Sequence, residues 1–152
     1  MSGLAAPMAA KRTAEAVWEH DLLKGHGRVK GLSGGLAETP VTWVARTEAS
    51  GGKTSPEELL AAAHAACYSM AFAAALGRGG TPPERLHVSA TVTFDKVGDG
   101  WKVTTSELAV KGKVPGMTAE KFSAAATAAE GGCPISNAIR GNVAITVTAT
   151  LE

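Results

Sequence analysis

SPEELLAAAHAACYSMAFAAALGRGG, residues 55–80, decides the architecture of this chain. Ser55 and Glu58 make a capping box, and Pro56 takes the first helical position, where a missing N–H costs nothing. Leu59, Leu60, Ala63, Cys67, Met70 and Ala74 share a helical stripe, and alanine fills the other faces too. A helix that is small and apolar all round is expected at the centre of the fold, packed on several sides. It should stop between residues 77 and 80, two glycines before the TPP at 81–83.

Working outward, the chain looks β-forming from Thr13, first as TAEAVWEH and then as LLKGHGRVKGLSGG, which carries the glycines of a turn-rich hairpin. VTWVART, residues 41–47, is rich in β-branched and aromatic residues and reads as a strand. EASGGKT supplies a loop into the helix. Beyond it, two alternating runs flank GDG as a hairpin, with Val88, Ala90, Val92 and Phe94 facing inward. A second helix is expected from Thr118 through TAEKFSAAATAAE, interrupted at Gly131 and Gly132. Cys133 directly precedes Pro134, which puts it at the N-cap of a short helix, PISNAIR; NVAITVTATLE closes the chain as an alternating strand. The order β-β-β-α-β-β-α-β points to an α+β fold, with antiparallel sheets packed around two central helices. Residues 1–12 are expected to be a flexible N-terminal arm and 13–152 a single domain.

Composition narrows the function. The 152 residues are 45% hydrophobic, as in a globular protein, and 15 basic against 14 acidic side chains leave a charge of +1. That balance creates no field favouring nucleic acid or an anionic membrane. No apolar run is expected to span a bilayer, and MSGLAAPMAAKRTAEA lacks the pattern of a secretory signal, so the expected location is the cytoplasm. Two cysteines in that compartment are not expected to be a permanent staple.

Cys67 alone reads as a small buried hydrophobe, the common fate of a free cysteine. Cys133 is different, because a helix N-terminus stabilises thiolate. His64, Cys67 and Cys133 are too few for a structural zinc, and His20, His26 and His87 stand singly, so no metal or other cofactor is expected. His64 reads as a polar residue satisfied within the helical layer. A redox pair needs a thiolate, a cation to hold it and a second thiol.

SPEELLAAAHAACYSMA resembles the NPEELLAAAHAACFSMA stretch of the OsmC/Ohr family, the osmotically inducible and organic hydroperoxide resistance proteins. CPISNAIRGNVAITVTATL is similar to the family's C-terminal CPVS segment and closing strand, and VARTEASGGKTSPEEL follows its approach to the helix. The likeness runs over nearly the whole chain from Thr13, and His64 before AAC is in the manner of the OsmC branch. Ser55 replaces the usual asparagine with an equivalent cap. The resemblance implies a thiol-dependent peroxidase acting on organic hydroperoxides and hydrogen peroxide. Cys67 would be the peroxidatic thiol and Cys133 the resolving one, forming a disulfide that an external dithiol, a lipoyl protein among the candidates, reduces again. Arg46 would hold Cys67 as thiolate and Glu57 would orient that arginine. The Ohr branch takes its arginine from an earlier loop, here GHGRVKG, which makes Arg28 the substitute. The other class of function is a non-catalytic small-molecule-binding protein of the same fold with inert buried cysteines.

Glu57 and Cys67 are ten residues apart on one helix, which separates them by roughly 15 Å along its axis and roughly 80° around it. If Glu57 serves Cys67, it must therefore come from a second chain. An obligate, interwound homodimer with two composite active sites is expected.

Overall fold

The computed structural model describes residues 9–152. Most of the expected arm over 1–12, namely residues 1–8, lies outside the described residues. The fold is α+β, with two three-stranded sheets and four α-helices among the described residues. The chain forms two compact units that meet in sequence between Ser55 and Pro56.

The N-terminal unit is a small antiparallel sheet in the order β1 (Ala14–Glu19), β2 (His26–Gly31), β3 (Thr39–Val41). The glycine-rich stretch 22–35 supplies the turn after β1, strand β2 and the turn toward β3, so the expected turn-rich hairpin is present there, with β2 paired antiparallel on both sides. Ala14 pairs with Gly31 and Glu19 with His26. Gly27 sits inside β2 because a side chain there would run into the Trp18 ring, 2.7 Å from its Cβ position. The expected strand over 41–47 is corrected. Strand β3 ends at Val41, and Trp43–Thr47 is a short helix, α1. Thr42 is extended and its side chain accepts the Ala45 N–H at 3.1 Å, so a cap outweighs the β-propensity of the run. This unit has little core of its own. All six residues of β1 are exposed, and the buried side chains among its described residues are Ala45 and Thr54.

The C-terminal unit is built on α2 (Pro56–Arg78), which begins and ends where the sequence places it. Strands β4 (Arg85–Val97) and β5 (Gly100–Lys113) form the expected hairpin, turning through Gly98 at φ 62°. Helix α3 (Ala119–Ala129) is capped by Thr118, and a 3-10 turn (Glu130–Gly132) leads to α4 (Pro134–Ile139). Strand β6 (Ala144–Leu151) then joins β5, but in parallel, so this sheet is mixed rather than antiparallel. The chain crosses from the end of β5 through α3 and α4 before pairing, and such a crossover delivers a strand in the same direction.

Helix α2 packs on β4 and against α3 and α4, while α3 packs on β6. Its buried ridge is His64, Tyr68, Phe72 and Leu76, not the stripe through Ala63, Cys67 and Met70. Tyr68, Phe72 and Phe122 of α3 make a chain of tilted rings with centroids 5.8 and 5.3 Å apart. The Tyr68 hydroxyl donates to the Ala126 carbonyl at 2.6 Å, which anchors α2 to α3. Phe122 reaches the sheet because Gly112 has no side chain; a Cβ there would collide with the ring. The opposite stripe of α2 stays open, with Ala62, Ala66, Met70 and Ala74 exposed and Met70 at 68%. Burial on several sides is thus not met within one chain. By length and composition α2 could also cross a bilayer, which the expectation that no run is long enough overlooked. Its ridge against the sheet nevertheless has the packing of a core helix.

Candidate active site

Cys67 and Cys133 come together in the C-terminal unit. Cys67 lies mid-way along α2, half-buried, and Cys133 is the N-cap of α4, fully buried at 0% exposure. Neither is in a disulfide, and the two thiols lie close enough to shift one another's ionisation. The turn before Pro134 makes this possible. It frees the first N–H groups of α4, so that the Ser136 N–H donates to Cys133 Sγ at 3.5 Å and the Ile135 N–H serves both sulfurs.

The two thiols are electrostatically unequal. Burial pushes the Cys67 thiol up, and the neighbouring Cys133 adds to this, with only the Ile135 N–H opposing. Burial works on Cys133 too, but the Ser136 hydroxyl and N–H, the Cys67 thiol and the Ile135 N–H outweigh it and bring Cys133 below the ordinary thiol range. Of the pair, Cys133 is the readier thiolate and Cys67 the more accessible sulfur.

His64 is fully buried beside them, one helical turn from Cys67. Its Nδ1 lies 2.7 Å from Ser106 Oγ on β5 and its Nε2 2.7 Å from Ser136 Oγ on α4. Both ring nitrogens are thereby engaged by hydroxyls, which agrees with a satisfied polar residue and disagrees with a metal ligand. Sequence reasoning did not reach Ser106 and Ser136. A signal for Ser106 exists: it takes an inward position of β5, ahead of buried Leu108 and Val110.

Glu57 lies in the first turn of α2 and is 7% exposed, on the same continuous helix as Cys67. The expected separation along that helix therefore holds. Arg46 and Arg28 belong to the N-terminal unit. Arg46 is in the last turn of α1, its guanidinium 5.9 Å from the Trp43 ring centroid. Arg28, on β2, ion-pairs with Glu19 at 3.2 Å and Glu38 at 3.3 Å.

Known proteins resemble this chain throughout. The OsmC-like protein family matches residues 49–148, the segment that carries both cysteines. The peroxiredoxin OsmC of Escherichia coli is 37% identical over 138 residues, 91% of this chain and 96% of that protein. An organic hydroperoxide resistance protein of Xanthomonas axonopodis pv. citri is 33% identical over 66% of this chain and 69% of its own length. The crystal structure of an organic hydroperoxide resistance protein OsmC from Legionella pneumophila superposes with a TM-score of 0.68 at 25% identity, covering 93% of this chain and 99% of that one.

Proposed function

This chain belongs to the OsmC-like protein family, and from that premise we propose that it is a thiol peroxidase that reduces organic hydroperoxides, and hydrogen peroxide with them. The observation that carries the mechanism is the closeness of a half-buried Cys67 to a buried Cys133, both free. Accessibility supports the division of roles: Cys67 is the sulfur open to a peroxide, and Cys133 is fully buried.

That closeness also supplies the proton logic. With the pair singly ionised, the charge rests first on Cys133 and the proton on Cys67. Moving that proton to Cys133 frees the Cys67 thiolate. Cys67 then attacks the distal oxygen of the hydroperoxide; the O–O bond breaks, Cys67 becomes a sulfenic acid, and the alkoxide takes a proton to leave as alcohol. Cys133, again a thiolate, attacks the Cys67 sulfur. The S–S bond forms and hydroxide leaves, protonated to water. An external dithiol, of which a lipoyl protein is one form, restores both thiols by exchange. Such cycling suits a reducing compartment, and the cytoplasm is the proposed setting. One equivalent of cumene hydroperoxide added to the reduced protein should consume two thiols per chain, counted with a chromogenic disulfide. Unchanged thiols would instead make it a binding protein with inert cysteines.

Tipping the shared proton away from Cys67 calls for a nearby cation, because burial opposes the Cys67 thiolate. The family likeness assigns this role to Arg46, with Arg28, which pairs with Glu19 and Glu38, as the substitute. Arg46→Ala should raise the Cys67 midpoint in a thiolate-absorbance titration and slow oxidation about tenfold per unit of lost thiolate. Arg28→Ala should leave the midpoint in place. The reverse pattern would transfer the role to Arg28.

A second copy of the chain completes the site. The exposed Ala62–Ala66–Met70–Ala74 stripe of α2 and the exposed Val17 and Trp18 of β1 are apolar surfaces that one chain leaves open. A two-fold partner whose α2 runs antiparallel and crosses near Ala62 would cover the start of the α2 stripe and bring each Glu57 to the other chain's Cys67.

A further inference from the structure

Ser106, His64 and Ser136 stand in one line of hydrogen bonds drawn from β5, α2 and α4, and Ser136 adjoins Cys133, to whose sulfur its N–H donates. The two His64 distances are both 2.7 Å, and the Ser136 hydroxyl and N–H both favour the Cys133 thiolate. All four side chains are 0% exposed. Packing alone does not call for such a line, since apolar residues of similar volume would fill the space without desolvating three polar groups. The peroxidase chemistry described above, on which this inference rests, assigns Ser106, His64 and Ser136 no role.

We propose that His64 is a positioning residue for the second thiol: its tautomer decides whether the Ser136 hydroxyl offers Cys133 a hydrogen or a lone pair. A serine hydroxyl has one hydrogen to give. With the imidazole proton on Nδ1, donated to Ser106, the bare Nε2 claims the Ser136 hydrogen, and Cys133 meets only oxygen lone pairs, which suit S–H. With the proton on Nε2, donated to Ser136, the hydroxyl turns its hydrogen to Cys133, which suits thiolate; the bare Nδ1 then accepts from Ser106. Thiol and thiolate at Cys133 therefore select opposite tautomers of an imidazole that stays neutral throughout. In the second step of catalysis the Nε2–H form holds the Cys133 thiolate that attacks the Cys67 sulfenic acid.

The surroundings keep the device neutral. Burial lowers the His64 pKa, with Glu130 pulling the other way while Arg140 holds that carboxylate at 2.7 Å. The remaining titratable groups around the line are Cys67, Cys133 and Tyr68, whose phenol burial keeps protonated. The inward positions of β5 and β6 hold Ser106, Leu108, Val110, Ile145 and Val147, none of them charged.

The test uses the Cys67→Ser protein, whose one remaining thiol is Cys133, titrated by thiolate absorbance. Adding Ser136→Ala removes the hydrogen offered to the anion and should raise the midpoint by about one unit. Adding Ser106→Ala should do the opposite. A buried N–H left without an acceptor is costlier than a bare lone pair, so the proton moves to Nε2 and the midpoint falls, by on the order of half a unit. Ser106→Thr, which keeps the hydroxyl, should restore the parent value. A midpoint that rises or stays put in Ser106→Ala overturns the proposal, because a merely structural serine has no reason to favour thiolate. Should that variant not fold, nitrogen NMR of the imidazole in otherwise unsubstituted reduced protein decides. The His64 signals should exchange from Nδ1–H to Nε2–H as Cys133 ionises, and one unchanging tautomer overturns the idea. Neither measurement contains peroxide, so failure here and failure of the peroxidase reading are separately visible.

Discussion

Cys67→Ser should reduce hydroperoxide no faster than buffer, whereas Cys133→Ser should consume about one equivalent per chain and stop. The difference follows from where the sulfurs sit. Removing Cys67 leaves only a thiol with 0% exposure, which peroxide cannot reach. Removing Cys133 leaves the accessible nucleophile but nothing to condense with its sulfenic acid, which then persists and is detected as one added oxygen by mass. The same substitution has an electrostatic consequence. Cys133 is among the groups that push the Cys67 thiol up. In Cys133→Ser the Cys67 midpoint should therefore fall, and the first oxidation should be faster than in the parent at pH values below the parent's midpoint. Stopped-flow oxidation rates against pH give both quantities. Sustained turnover of Cys133→Ser with a dithiol would show that Cys133 is not an obligatory resolving residue.

What the sequence discloses and what it hides have separable physical causes. Features encoded by neighbours in the chain are legible: the Pro56 start and the glycine-marked end of α2, the N-cap position of Cys133, the turn at Gly98. Features decided by partners distant in sequence are not. The parallel pairing of β6 with β5 depends on which edge the crossing chain reaches. Helix α1 replaces a strand because one threonine hydroxyl meets one N–H. The buried ridge of α2 was misplaced because alanine on every face erases the period, leaving only the bulk of Tyr68 and Phe72 to mark it. The site divides the same way. Both cysteines announce themselves, but the serine that completes the His64 line from β5 lies 42 residues from it, where no spacing rule looks.

The second large effect tests the composite site. Glu57 and Cys67 share one unbroken helix, Pro56–Arg78, so the rise of the helix alone keeps them roughly 15 Å apart whatever their rotamers. A carboxylate that is 7% exposed at one end of that helix cannot act on a sulfur at its middle within the same chain. An antiparallel pairing of two α2 helices that cross near Ala62, midway between Glu57 and Cys67, would set each Glu57 opposite the partner's Cys67 and so make two such sites. Cys67→Ser and Glu57→Ala homodimers should each be inactive or severely slowed. Co-refolded with different tags and purified as the heterodimer, they should regain about half the wild-type activity per dimer, since one site then carries both lesions and the other neither. A site made within one chain predicts no recovery at all, because every Cys67 left in the mixture would sit beside an alanine at 57. Recovery near half with confirmed heterodimer places Glu57 across the interface, and its absence returns the carboxylate to a role in the chain that bears it.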